Sequence, residues 1–295
     1  MNRTTIAVSF VMAAAAVQVP GQVPGTPATA APQGDPIAEI VASMRAAEQK
    51  AKTLRIELET EGRLPDGSEV TTHGTLRVLR GAQPKLYSSV EFSFGDGLSG
   101  RMESAQTERG IYLYEDNPSF GELHLHFPAA VVTDLEWAGE VLERADLPGM
   151  ADRRATSPLG SAMLADLQRH FDLAPTARTT RGADAGQWLA GARRAGLDDQ
   201  DPELPLADRV ELFVRERDHA LLEVKHLQAD KVIQHLEVVR LEVDVDLPAS
   251  SFEVDGRGQR LRELQQYQPM ADEVERVLRQ AEAKSPEGTV RPSRR

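Results

Sequence analysis

The sequence predicts a mainly β protein with α-helices, in which one strongly curved antiparallel sheet forms a half-open barrel and amphipathic helices cover its concave face. Apolar and polar residues alternate in several stretches, most clearly from Val239 to Leu247, as in a strand with one solvated face. The connections between these stretches are short and contain glycine, as in Gly95-Asp96-Gly97, which is typical of antiparallel hairpins. A few segments have helical spacing instead, and each must bury its apolar stripe against the sheet.

The N-terminal segment is typical of a secretory signal peptide. Arg3 supplies a positive charge, and an uncharged apolar run from Ile6 to Val17 is too short to span a membrane as a helix. Small residues suited to cleavage follow at Ala28-Thr29-Ala30, with an earlier site near Ala16 as an alternative. We therefore expect residues 1–30 to be removed and the mature protein to be periplasmic and soluble.

Composition restricts the function classes. The chain of 295 residues contains no cysteine, so disulfides, thiol nucleophiles and acylation of an amino-terminal cysteine are excluded. Removal of residues 1–30 leaves 33 basic and 46 acidic residues, a net charge of −13, which disfavours nucleic acid and anionic headgroups as partners. Aromatic residues make up only 5%, so a cavity must be lined mainly by aliphatic side chains. The remaining length suits a single large β-rich domain, which we assign to residues 35–265.

A helix followed by a meander of strands is predicted for the first half of the domain. Asp35-Pro36 supplies a cap and a first-turn proline, and apolar residues then recur at helical spacing from Ile37 to Leu54. Period-two alternation starts at Leu54, and Pro65-Asp66-Gly67 turns the chain. The next strands are predicted at Leu76 to Arg80, Leu86 to Phe94, Met102 to Ser104, Ile111 to Glu115 and Leu123 to Phe127.

Helices interrupt the sheet in the middle of the chain. Helical spacing extends from Val131 to Leu142 and again after Ser157-Pro158, where one apolar face runs from Leu159 to Phe171. Strands are then predicted at Gln187 to Ala190, Val210 to Val214, Ala220 to Leu227 and Val232 to Leu247. An amphipathic C-terminal helix is predicted within residues 266–284, and residues 285–295 are predicted to be a disordered tail.

This order of elements resembles the LolA/LolB-type outer-membrane lipoprotein carriers, which have a signal, an amphipathic helix, a meander of strands, a helical insertion and a second set of strands. The best local match is Gly74-Thr75-Leu76-Arg77-Val78-Leu79-Arg80, which is similar to that family's Gly-x-Leu-x-Val-x-Arg strand. Ser157-Pro158-Leu159 and Ser251-Phe252-Glu253-Val254 are similar in placement. One departure is that Gly81-Ala82-Gln83 stands between this strand and its proline.

The candidate ligand-binding residues share one face of the predicted strands, and they are Leu76, Val78, Arg80, Leu86, Val90, Phe92, Phe94 and Met102. We predict that the apolar members line the concave side of the sheet, where they either border a ligand-accessible cavity or form a closed core. The resemblance implies that Arg80 holds a mobile helix closed or contacts the polar linkage of the cargo. The alternative for Arg80 is a strand-end arginine that reaches the solvent.

Catalytic and metal-binding patterns are scarce. His124 and His126 are two residues apart on a predicted strand, so their imidazoles share a face and can chelate a metal if another ligand joins them. A pair of surface histidines is the simpler interpretation. The sequence contains no Gly-x-Ser-x-Gly elbow, no nucleotide-binding glycine loop and no His-Glu-x-x-His motif. We therefore expect neither an enzyme nor a bound cofactor or metal.

Three functional hypotheses remain open. The resemblance implies a monomeric periplasmic carrier that shields the acyl chains of a lipoprotein or lipid, accepts this cargo from an inner-membrane donor and releases it to an outer-membrane acceptor. The second hypothesis is a non-catalytic envelope module on the same fold, with a filled core and an acidic outer face that binds a protein partner. The third is a metal-dependent hydrolase that uses His124 and His126.

Overall fold

The computed structural model describes most of the predicted domain and its C-terminal helix. The described residues are 35–63, 67–95, 97–118, 121–144, 157–196, 207–254, 262–263 and 268–284. The predicted signal peptide and the predicted tail, residues 285–295, lie outside the described residues.

Twelve strands form one sheet in this part of the chain. Their bounds are β1 Thr53–Arg63, β2 Glu69–Leu79, β3 Lys85–Phe94, β4 Ser99–Thr107, β5 Gly110–Asn117, β6 Gly121–Pro128, β7 Phe171–Arg181, β8 Asp184–Arg193, β9 Arg209–Arg215, β10 Leu221–Gln228, β11 Lys231–Val243 and β12 Arg262–Glu263. The order across the sheet is β12-β6-β5-β4-β3-β2-β1-β11-β10-β9-β8-β7. Two meanders, β1 to β6 and β7 to β11, are therefore joined where β1 pairs with β11.

The strand pairing confirms the predicted fold class. Strands β1 to β11 pair antiparallel with their neighbours, and the two-residue β12 adds a parallel pairing beside β6. The strand order ends at β7 on one side and at β12 on the other, so the sheet does not close into a barrel. The protein is thus mainly β, with an open antiparallel sheet and a small number of helices.

Four α-helices accompany the sheet in the described residues, with bounds α1 Pro36–Lys50, α2 Ala129–Arg144, α3 Ser161–His170 and α4 Gln268–Lys284. The predicted start of α1 is confirmed, because the Asp35 carboxylate accepts hydrogen bonds from the backbone N–H groups of Ile37 and Ala38 at 2.9 and 3.3 Å. The helix ends at Lys50, before the predicted Leu54. None of the helices described here combines the length and the apolar character needed to cross a membrane.

One face of the sheet, which we call the inner face, carries the helices. Register places six of its residues side by side across β1 to β6, and they are Ile56, Leu76, Ser88, Ser104, Leu113 and Leu125. The same face continues from β1 across β11 to β8 through Thr60, Leu236, Val224, Leu212 and Leu189.

Two pairs of helices cover the two ends of the inner face. The α1–α3 pair packs on β7 to β11 in a cluster that includes the fully buried Met44, Leu164 and Leu212. The α2–α4 pair packs on β5 and β6 in a second cluster that includes Leu125 and Val277. The middle of the inner face, on β1 to β4, therefore lies between the two helix pairs.

The opposite, outer face holds the segment that follows β11. Phe252, in a short 3-10 turn at Ala249–Phe252, packs against Tyr87 and Ala105. The Arg77 guanidinium lies 4.7 Å from the centre of the Tyr87 ring and donates a hydrogen bond to the Ser251 carbonyl at 3.0 Å. The predicted late segment therefore anchors the chain to the outer face of β3 and β4.

Two further element predictions are wrong in their bounds, and one strand was not predicted. The apolar helical face predicted from Leu159 to Phe171 ends earlier, because α3 stops at His170 and Phe171 begins β7. Strand β7 was not predicted because most of its residues are exposed at the edge of the sheet, so hydrophobic alternation is missing. The strand predicted from Val232 to Leu247 ends at Val243, and a register shift opposite Glu57 leaves Val239 46% exposed.

Candidate functional site

The predicted ligand-binding residues of β2, β3 and β4 share the inner face. Val78 pairs with Leu86, and Val90 pairs with Met102, in registers without a bulge. Leu76, Phe92 and Phe94 have the same parity on their strands and so face the same side. The structure therefore brings the seven apolar residues onto one surface, but it divides them into two groups.

The first group belongs to a closed core. Val78 and Leu86 are buried and pack with Leu54 and Leu159 near the C-terminal end of α1. Leu76 is half-buried against the same cluster. These side chains are thus in contact with other protein side chains.

The second group lies between the two helix pairs. Val90 and Phe92 are each 6% exposed, while Phe94 and Met102 are half-buried. The Phe92 and Phe94 rings meet edge to face, with centroids 5.8 Å apart. Register adds Leu58, Thr60 and Thr72 to this surface. We call it the central inner face and define it by Leu58, Thr60, Thr72, Val90, Phe92 and Met102.

Two glycines let large side chains lie across the central inner face. A Cβ atom at Gly100 would collide with the ring of Phe92, and one at Gly74 would lie 2.9 Å from a methyl carbon of Leu58. Gly100 is the β4 partner of Phe92, and Gly74 is the β2 partner of Leu58. The absence of side chains at these positions leaves space for Phe92 and Leu58 to cover the neighbouring strands.

The polar groups in this region are mostly neutral. Ser88 and Ser104 are cross-strand partners, and their hydroxyl oxygens are 2.8 Å apart. Each hydroxyl therefore has a hydrogen-bond partner without solvent. Thr60 and Thr72 are also directly opposite each other. This surface combines apolar side chains with small hydroxyls.

Arg80 lies one residue beyond the end of β2 and contacts α1. Its guanidinium donates a hydrogen bond to the backbone carbonyl of Glu48. The backbone N–H of Arg80 donates a second hydrogen bond to the Lys52 carbonyl at 2.8 Å. Burial lowers the pKa of Arg80, and the charge of Glu48 opposes this shift. A cation at the last turn of a helix satisfies a free carbonyl and complements the helix dipole. Arg80 therefore attaches α1 to the edge of the closed core.

Glu48 joins α1 to α3 and was missed by the sequence analysis. Its carboxylate accepts hydrogen bonds from the Ser157 and Ser161 hydroxyls, both at 2.6 Å. It also accepts from the backbone N–H groups of Leu159 and Ser161, at 3.1 and 3.2 Å. A carboxylate at the start of a helix satisfies N–H groups that otherwise have no partner. We call these contacts the Glu48 latch.

One sequence signal could have revealed the latch. Ile37, Val41 and Met44 are the buried residues of α1, and Glu48 continues their spacing by one more turn. A charged residue at a buried helical position requires a polar partner. The partners could not be found from sequence because they lie more than a hundred positions away, at Ser157–Ser161.

The histidine pair lies on the outer face, away from the central inner face. His126 stacks on Tyr112 with ring centroids 4.3 Å apart, and His124 lies 4.8 Å from Tyr114. His124 is only 4% exposed, so the surface-histidine interpretation is wrong for this residue. Within the described ranges, no group of three histidine, aspartate or glutamate residues is arranged to hold a metal ion.

A different histidine is buried beneath the α1–α3 pair. His226, on β10, is 8% exposed, and its ring centroid is 6.3 Å from that of Phe171. Burial lowers the pKa of His226 from 6.5 to about 4, because the charged imidazolium loses its hydration in this environment. His226 is therefore neutral at pH 7.

Sequence comparison finds no protein family and no curated protein that matches the chain. Among solved structures, an uncharacterized conserved protein from Thermus thermophilus is 13% identical with a TM-score of 0.39, and the match covers 77% of this chain and 98% of that one. The lipoprotein LppX of Mycobacterium tuberculosis is 11% identical with a TM-score of 0.36, covering 72% and 99%. A LolA superfamily protein from Nitrosomonas europaea is 9% identical with a TM-score of 0.25, covering 74% and 98%.

The last of these structures belongs to the LolA superfamily, the type of protein that the sequence resembles. With identities of 13% or less and TM-scores below 0.5, the similarities assign no activity to this chain.

Proposed function

We propose that the protein is a non-enzymatic periplasmic carrier that binds the acyl chains of a lipid or lipoprotein on the central inner face. One observation carries the proposal. Between two helix-covered clusters, β1 to β4 present a surface of aliphatic and aromatic side chains with small hydroxyls and no charged residue among Leu58, Thr60, Thr72, Val90, Phe92 and Met102. Such a surface suits a flexible apolar ligand.

The energetics of acyl burial support this function. Each methylene removed from water contributes about 0.8 kcal/mol, so ten of them contribute roughly 8 kcal/mol before the cost of ordering the chain. Aliphatic side chains such as Leu58 and Val90 are sufficient for this gain. The hydroxyls of Thr60 and Thr72 reduce this gain in binding free energy. A weaker gain suits a carrier that must also release its cargo.

Arg80 and the Glu48 latch have a supporting role in this proposal. They hold α1 against α3 and against the closed core around Val78, so the helix-covered end stays fixed while cargo occupies the middle of the face. The resemblance to lipoprotein carriers suggests a monomer that receives cargo from an inner-membrane donor and passes it to an outer-membrane acceptor.

A protein-binding module is the second candidate. The observation in its favour is that Val78 and Leu86 are buried and pack with Leu54 and Leu159. If the central inner face is equally closed, the acidic outer face becomes the binding surface. Apolar ligands then have no place to bind.

The first experiment is mass spectrometry of the protein purified from its own envelope without detergent. We expect a stoichiometric acyl-bearing lipid or lipoprotein, and we expect it to be lost in Val90→Asp and Phe92→Asp. Ser93→Asp is the matched control, because Ser93 is exposed on the outer face of the same strand. The control should keep the cargo.

A milder variant keeps the experiment interpretable if a buried aspartate prevents folding. Met102→Gln changes a half-buried residue of the same surface and should reduce the amount of cargo while the circular dichroism spectrum is unchanged. If no cargo is found and added lipid is not taken up by the folded wild-type protein, the carrier proposal is wrong and the protein-binding module replaces it.

A further inference from the structure

Glu115 is the charged exception on an otherwise uncharged strand surface. Among the described residues of β1 to β6, every inward-facing position other than Glu115 holds an apolar residue, a glycine or a neutral polar residue. Glu115 faces inward because it pairs with Met102 on β4 and with Leu123 on β6, without a register shift. A half-buried carboxylate therefore stands next to the central inner face.

The hydrogen-bond partner of Glu115 is a neutral side chain. The Asn117 amide donates a hydrogen bond to its carboxylate at 3.1 Å, and Asn117 is 1% exposed. An amide is neutral, so it orients the carboxylate without neutralising it. No lysine, arginine or histidine in the described part of the chain forms an ion pair with Glu115. A half-buried carboxylate in this position favours a cation nearby.

The cation that follows the end of β2 is already engaged. Arg80 donates to the Glu48 carbonyl at the end of α1, so its guanidinium has a partner within the protein. The whole chain has a net charge of −12. Both observations make the inner face a poor site for an anionic headgroup and a good site for a cationic one.

We propose that Glu115 makes this face selective for amphiphiles whose polar head carries a positive charge, such as a primary amine, over anionic amphiphiles of the same chain length. The proposal rests on the proposed function. The head contacts Glu115 on β5, and the apolar chain extends across Met102 and Val90 towards Leu58 on β1. Four strand spacings separate β5 from β1, about 19 Å, which gives an alkyl chain a continuous apolar path.

The test uses three probes with the same twelve-carbon chain below their micellar concentrations: dodecylamine, dodecanoate and neutral dodecanol. Binding is measured by isothermal titration calorimetry at pH 7. We expect the wild-type protein to bind dodecylamine about tenfold more tightly than dodecanoate, a difference of about 1.4 kcal/mol. In Glu115→Gln, which keeps the shape of the side chain, this preference should fall to about twofold or less.

Two controls distinguish an effect of the Glu115 charge from an effect of Glu115 on the structure. Glu122→Gln removes a charge from the outer face of the neighbouring strand, where Glu122 is exposed, and should keep the tenfold preference. Dodecanol should bind equally to the wild-type protein and to Glu115→Gln. A loss of dodecanol binding in that variant means that Glu115 acts through the structure, and this result overturns the selectivity proposal.

The outcomes distinguish this inference from the proposed function. If none of the three probes binds, the carrier function itself fails. If dodecylamine and dodecanoate bind equally, or if Glu115→Gln keeps the full preference, acyl binding stands and the role of Glu115 is overturned.

Discussion

The two helix pairs differ in how they are attached to the sheet. The α1–α3 pair contributes to a cluster that reaches five strands, β7 to β11. The α2–α4 pair contributes to a cluster that reaches β5 and β6. The α1–α3 pair also has the Glu48 latch between its helices. This difference suggests that the α1–α3 half is the stable scaffold and that the rest of the inner face has the freedom that ligand binding requires.

The largest expected effect comes from one matched pair of core substitutions. Leu164→Ala removes a fully buried side chain from the α1–α3 cluster, and Leu278→Ala removes one that is 7% exposed from the α2–α4 cluster. We expect Leu164→Ala to lower the free energy of unfolding by about 2–5 kcal/mol, because it leaves a cavity in the larger cluster. Leu278→Ala should lower the free energy of unfolding by a clearly smaller amount.

Urea denaturation of both variants measures this difference. Equal costs, or a larger cost for Leu278→Ala, would mean that the α2–α4 half is as firmly packed as the other half. The assignment of the scaffold would then be wrong.

A second effect depends on pH and belongs to the α1–α3 half. The unfolded chain binds a proton at His226 near pH 6.5, whereas the folded protein binds it only near pH 4. Between these values the unfolded state holds more protons, so stability is lost as the pH falls from 6.5 to about 4. The shift corresponds to about 3 kcal/mol.

Urea unfolding at pH 7, 5.5 and 4 tests this prediction. In His226→Leu, the part of the pH dependence that His226 causes should disappear, so the stability curve between pH 6.5 and 4 becomes flatter than that of the wild-type protein. If the free energy of unfolding falls equally with pH in the wild-type protein and in His226→Leu, His226 does not cause the pH dependence and the prediction is wrong.

The Glu48 latch gives a smaller expected effect. Glu48→Ala removes the acceptor of two hydroxyl and two backbone hydrogen bonds and should lower the free energy of unfolding by about 2 kcal/mol. Hydrogen exchange should accelerate first at Leu159 and Ser161, whose N–H groups lose their acceptor. Glu39→Ala is the control, since Glu39 is exposed on the same helix, and it should change neither quantity. An unchanged exchange rate at Ser161 in Glu48→Ala would contradict the latch.

The sequence was sufficient for the parts of the fold that follow from local pattern. The alternation in β1 and β3 predicted which residues share the inner face, and Asp35-Pro36 predicted the start of α1. Local pattern failed for β7, because an exposed edge strand has no buried face that imposes alternation on its residues. It also placed Val239 in a regular alternation that a bulge interrupts.

The candidate site was only partly accessible to sequence reasoning. Parity grouped Val78 with Val90, but only the packing of α1 separates the closed core from the central inner face. The roles of Glu48 and Glu115 depend on neighbours from distant strands and helices. A charge at an inward position can be recognised from the sequence, whereas its partner cannot.

If the protein binds acyl chains on the central inner face, a bound chain should lie on the inner and not on the outer face of the sheet. The chain has no cysteine, so Met102→Cys and Ser93→Cys each provide a single labelling site, on the inner and the outer face respectively. Each variant carries a fluorescent label and is titrated with a nitroxide-labelled long-chain alcohol, whose head carries no charge. We predict strong, saturable quenching at position 102 and little quenching at position 93. Equal quenching at both positions, or none at position 102, would contradict it.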